Sequence, residues 1–144
     1  MQDQTKLQSE NAKQRNDEVA IHELMERWAS AVRAKDFEGI VSNHSSDMLM
    51  FDVPPPFQSR GLDEYIQTWI TFFEWAPEPV KFEISEMKVT SGTDLAVVAA
   101  SMRCGGGETT GEKAELAFRL TVGLRKVNSE WIIFHEHHSV PATD

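Results

Sequence analysis

The sequence predicts an α+β domain in which N-terminal helices pack on one side of a curved, mainly antiparallel sheet. Three observations carry this. An apolar stripe of helical period runs from Val19 to Val32, and a second helical segment with a wide aromatic face runs from Leu62 to Ala76. Strand-period or continuously apolar runs then fill the chain to its end. Its 144 residues fit one domain, expected over 18–144 behind a flexible polar tail at 1–17.

The first residues, MQDQTKLQSENAKQRND, lack apolar periodicity and are expected to be a mobile tail or a frayed helical extension. Ile21, Leu24, Met25, Trp28, Ala31 and Val32 then recur at three- and four-residue spacing, which places them on one face of a helix ending near Lys35-Asp36. Asp36 is a natural N-cap for a short helix over Phe37 to Asn43. Met48 to Val53 reads as a strand, followed by a rigid Val53-Pro54-Pro55-Pro56 segment and a turn at Ser59-Arg60-Gly61. That turn launches the aromatic helix, which Pro77 and Pro79 stop. Four strands are expected at Val80–Thr90, Asp94–Cys104, Glu115–Val127 and Trp131–Val140. Their turns fall at Ser91-Gly92-Thr93, Gly105 to Gly111 and Asn128-Ser129.

Composition narrows the function. With 14 Lys+Arg against 23 Asp+Glu the chain carries a formal net charge of -9, and no run of basic residues offsets it, so neither nucleic acid nor a membrane surface is an expected partner. Cys104 is the only cysteine, which excludes an intrachain disulfide and points to an intracellular protein. The N-terminal segment lacks the apolar core of a signal peptide, so a cytoplasmic location is expected.

Asp52 is the leading candidate for chemistry. A carboxylate where an apolar strand meets a proline turn is a candidate general base, because burial disfavours its charged form; it can equally cap the turn's backbone. On the last strand, His135 and His137 share one face with Trp131, Ile133 and Ser139, while Ile132, Phe134, Glu136 and His138 share the other. Both faces are mixed, so periodicity alone leaves open which one lines a pocket. His135 and His137 could act as acid, base or hydrogen-bond donor, or simply bond to neighbouring strands. A metal on this His-x-His pair would need Asp52 or His44 as a further ligand, and no spaced third-ligand motif is present, so no metal is expected. Trp28, Phe51, Phe57, Trp69, Phe73 and Trp75 are core by default, and those that line a cavity would favour a flat apolar ligand such as an aromatic ketone. Arg119, beside Thr121 and across the hairpin from the histidines, could anchor a carboxylate or polarise a carbonyl, or lie on a solvated face. Cys104 has no evident activating partner.

The element order, together with Asp52 followed nine positions later by Gly61 and the closing Trp131-x-Ile133-x-His135-x-His137-x-Ser139-x-Pro141, resembles the nuclear transport factor 2-like superfamily, in its SnoaL-like and ketosteroid isomerase-like branch. The resemblance covers about residues 18–141. It implies a cone-shaped, cystatin-like fold around a deep central pocket, a small apolar or aromatic ligand, no cofactor and a homodimer paired through the open sheet. It places the catalytic base on Asp52 and favours the His135–His137 face as the pocket lining. The family's oxyanion-stabilising Tyr, eight residues before Asp36, falls on Trp28, and its second Asp falls on Thr121 or Val122. Trp28 can donate only through its indole N–H, and neither Thr121 nor Val122 is a carboxylic acid, so steroid isomerisation is not expected. The reading is a small-molecule pocket protein with isomerase, cyclase or hydratase chemistry on an apolar carbonyl compound. The alternative is a non-catalytic ligand-binding or dimerisation module of the same fold.

Overall fold

A computed structural model describes residues 2–106 and 115–143. Helix α1 (Gln2–Arg33) carries the expected apolar stripe: Ile21, Leu24, Met25, Trp28, Ala31 and Val32 are all buried. Of the two expectations for the polar N-terminal segment, the helical extension is the one found. Near its end Gln14 Nε2–H donates to the Ser91 carbonyl (3.2 Å), and Asp17 Oδ1 accepts from Lys126 Nζ (2.9 Å) and Trp131 Nε1 (3.2 Å). Helix α2 (Phe37–Val41) is capped by Asp36, whose Oδ1 accepts from the Gly39 N–H at 3.2 Å. Asp36→Ala removes that acceptor, and urea unfolding is expected to show a loss of about 1 kcal/mol.

Strands β1 (His44–Phe51) and β2 (Ser59–Arg60) flank the proline segment, and helix α3 (Gly61–Trp75) follows at once. Gly61 sits at φ +81, a backbone conformation that explains a glycine at this entry. Strands β3 (Val80–Ser91), β4 (Leu95–Gly106), β5 (Glu115–Val127) and β6 (Glu130–Ser139) complete the chain, close to the expected boundaries. Part of the loop expected over Gly105 to Gly111 belongs to β4; residues 107–111 lie outside the described residues.

The sheet has the order β2-β1-β6-β5-β4-β3, antiparallel except where β1 runs parallel to β6. Helix α1 packs against β3 and α3 against β1, on the face that carries the core. This is the α+β architecture expected from the sequence. The parallel pairing of β1 with the last strand was not readable from periodicity. No helix among the described residues is long and apolar enough to cross a membrane.

One irregularity in β6 decides the site. Leu124 pairs with Ile133 and Gly123 with His135, so Phe134 is an extra residue, a β-bulge. Trp131 and Ile133 point into the core, but beyond the bulge the inward positions are Glu136 and His138, both buried. A one-residue slip moves every following side chain to the other face. The bulge also explains Gly123: a Cβ there would lie 2.9 Å from the Phe134 ring.

Candidate active site

A cavity of about 680 Å³ opens between the proline segment after β1, helix α3 and the ends of β4 and β5. That volume is typical of a small-molecule site. Its walls are largely apolar and include Trp69, Phe72, Phe82 and Phe118, with Pro54–Pro56, Trp75 and Leu116 towards the opening. The ionisable side chains among the described lining residues are Asp52, Glu64, Cys104 and His138.

Asp52 lines this cavity, as expected, at the point where β1 runs into the prolines. Its Oδ1 accepts from the Val53 N–H at 2.8 Å, so it also caps the turn. The same Oδ1 lies 4.0 Å from His138 Nδ1. This is too long for a hydrogen bond and leaves room for a ligand atom to engage both groups. The His138 ring stacks on Phe118 (5.3 Å, 9°) and meets Trp69 at 6.2 Å, so it is held between aromatic rings.

Behind His138 lies a buried polar network. Its centre is Glu136, fully buried at 0% exposure. Glu136 Oε1 is 3.0 Å from His138 Nε2; its Oε2 accepts from the Tyr65 hydroxyl at 2.6 Å and lies 2.8 Å from His44 Nε2. The Tyr65 oxygen in turn accepts from Trp28 Nε1–H at 3.0 Å. Burial pushes the Glu136 carboxyl up, but hydrogen bonds from His138 and His44 and the charge of those rings outweigh it and hold it at about 2. Burial, then the Glu136 charge, pushes the Tyr65 phenol well above its ordinary value, so it stays a donor. His44 Nδ1 faces the Ser42 carbonyl at 2.9 Å. The Tyr65 hydroxyl also lies 3.1 Å from His44 Nε2, so the His44 ring is held at both nitrogens.

Several expected site residues lie elsewhere. His135 and His137 are on the outer face of the sheet, turned there by the bulge, and Phe51 packs edge-on against both (5.0 and 5.3 Å). His135 Nδ1–H donates to the Leu49 carbonyl at 2.7 Å. Phe57, at the tip of the proline segment, is 93% exposed. Arg119 and Thr121 also face outward on β5, and Arg119 donates to the Ser139 hydroxyl at 3.1 Å. Trp28 is core rather than pocket lining: it packs against Trp69 and Phe82, and its N–H goes to Tyr65. Phe73 packs between Phe37 and Trp69 outside the cavity lining. Of the aromatic candidates, Trp69 and Trp75 line the cavity, and the Trp69 N–H is buried without a hydrogen-bond partner among the described residues.

Sequence reasoning therefore gave Tyr65 no role in the site, considered His44 only as a metal ligand, and placed Glu136 and His138 on the face that the resemblance did not favour. Cys104 lines the cavity, and burial together with the charge of Asp52 pushes its thiol up to about 12, which removes it as a nucleophile at neutral pH. Among the described residues no cluster of three metal-ligating side chains is present.

The profile of the SnoaL-like domain family matches residues 21–143. A comparison with curated protein sequences finds no match. Among solved structures, the chain is similar to an NTF2-like protein of unknown function from Pseudomonas putida KT2440, with 32% identity, a TM-score of 0.78 and coverage of 91% of this chain and 88% of that one. It also resembles an NTF2-like protein with a cystatin-like fold from Novosphingobium aromaticivorans (14% identity, TM-score 0.80, coverage 97% and 91%). A ketosteroid isomerase-like protein from Erwinia carotovora atroseptica SCRI1043 shares 21% identity, with a TM-score of 0.66 and coverage of 85% and 96%. The last two likenesses speak for the fold alone. The family match, which spans most of the chain, and the Pseudomonas relative go further: this protein belongs to the SnoaL-like domain family, with an NTF2-like fold.

Proposed function

We propose that the cavity binds a small, uncharged aromatic or polycyclic carbonyl compound and that Asp52 and His138 carry out acid–base chemistry on it. The observation that supports this most is the facing pair itself, a carboxylate and an imidazole 4.0 Å apart in an otherwise largely apolar cavity. Asp52 takes a proton from the carbon next to the carbonyl, and His138 hydrogen-bonds or protonates the oxygen on which the electron pair settles. Return of the proton to another carbon yields an isomer, while loss of a β-hydroxyl as water yields a dehydration product. His138 replaces His135 and His137 in this role, and Trp28 takes no part, because its indole N–H is spent inside the core.

Charge selects the ligand. No Lys or Arg is among the described lining residues, and Asp52 and Glu64 are both acidic. A carboxylate ligand beside Asp52 meets like-charge repulsion strengthened by the apolar surroundings. Titration with 2-acetylnaphthalene and with 2-naphthoate, followed by quenching of the fluorescence of Trp69 and Trp75, is expected to show the ketone binding about tenfold or more tightly. Equal or tighter binding of the naphthoate would contradict the proposed ligand class. Absence of any binding would count against the pocket itself.

A further inference from the structure

Glu136 touches none of the cavity, yet it determines what the cavity sees of His138. Held ionised, Glu136 can only accept, and its Oε1 lies 3.0 Å from His138 Nε2, so a proton must sit on that nitrogen for the contact to be a hydrogen bond. Its Oε2 is occupied by Tyr65 and His44 at 2.6 and 2.8 Å, so the carboxylate is braced from β1 and from α3 at once. The stacking of His138 on Phe118 at 9° opposes a half-turn of the ring, which would put carbon atoms where Nε2 meets Glu136 and Nδ1 faces the cavity. The cavity-side nitrogen is then Nδ1, which faces Asp52 Oδ1 across 4.0 Å without bonding to it.

We infer that Glu136 is the positioning residue of the site: by keeping one proton on His138 Nε2 in both states of the ring, it confines the proton that His138 can give or take to Nδ1, on the cavity side. This rests on the acid–base reading of the pocket proposed above and adds to it the residue that fixes which nitrogen acts. The step balances simply. The imidazolium releases the Nδ1 proton to a ligand oxygen and becomes the neutral Nε2–H ring, and the reverse transfer restores it, with Glu136 remaining a carboxylate throughout.

The test uses the ligand-free, ¹⁵N-labelled full chain and long-range ¹H–¹⁵N spectra of the histidine rings, which distinguish the two neutral tautomers. The neutral His138 ring is expected to be the Nε2–H form by roughly tenfold or more, the scale of a charge-assisted hydrogen bond. Glu136→Gln, whose amide can donate as well as accept, is expected to reduce that preference by roughly tenfold. It should also weaken binding of 2-acetylnaphthalene while leaving binding of naphthalene, which has no oxygen, unchanged. A neutral wild-type His138 protonated on Nδ1, or a tautomer ratio indifferent to Glu136→Gln, would overturn the inference. The wild-type spectrum carries the test by itself if the variant does not fold. A correct tautomer in a protein that fails to bind the ketone would remove the proposed function and with it the role of Glu136 in the site, whereas a wrong tautomer with intact ketone binding would remove this inference alone.

Discussion

Asp52→Asn is expected to lower turnover of any carbonyl compound the wild type converts by about 10²–10⁴-fold, the usual contribution of a positioned general base. Asparagine keeps the shape of the side chain and an oxygen that can still accept from the Val53 N–H, so the turn after β1 should hold. What it loses is the capacity to take a proton. The fall should therefore appear in kcat, while binding of 2-acetylnaphthalene, whose contacts are mainly with the aromatic wall, stays within about threefold. Unchanged kcat in Asp52→Asn would remove Asp52 as the base.

The second large effect concerns stability. Glu136→Leu replaces the carboxylate with an apolar side chain of similar size, takes the acceptor from His138 Nε2 and leaves His44 Nε2 and the Tyr65 hydroxyl, 3.1 Å apart, with only each other on that side. Removing one partner from a buried charged network is expected to cost about 3–5 kcal/mol at neutral pH. The pH dependence follows from the lowered carboxyl. The unfolded chain takes up its proton near the ordinary value of 4.5, whereas folded Glu136 holds off to about 2. Its contribution is therefore complete above 4.5 and lost as pH falls towards 2, so the gap between wild type and variant should narrow over that range. Urea unfolding at pH 7 and at pH 3 checks both magnitude and sign. A gap that widens with acid would mean that Glu136 is not held ionised.

The elements were legible because each obeys a simple period. The stripe from Ile21 to Val32 reads as a helix, and the runs in β3 to β6 read as strands, since one face of each is buried and the hydrophobic pattern records it. Asp52 was legible because the end of an apolar strand and the prolines after it are local features. The histidines were not. Both faces of β6 are mixed, so period alone chose neither and the resemblance favoured the His135–His137 face; the bulge at Phe134, set by pairing with β5, puts Glu136 and His138 on the core side with Trp131 and Ile133. The available signal was Gly123, since a glycine inside a strand pattern often marks a bulge or a close approach. Tyr65 and His44 were hidden for another reason. Their roles depend on a buried carboxylate from a strand distant in sequence, and the parallel pairing of β1 with β6 that brings His44 to it leaves no periodic trace.

The histidine that meets the ligand decides where the site lies. The chain has five, His22, His44, His135, His137 and His138, and their ring signals can be followed together by NMR during titration with 2-acetylnaphthalene. His138 should move most, as the histidine that lines the cavity, with His22, His135 and His137 unmoved. Shifts at His135 or His137 with His138 unmoved would place the ligand on the outer face of the sheet and contradict the assignment of the Asp52–His138 cavity as the site.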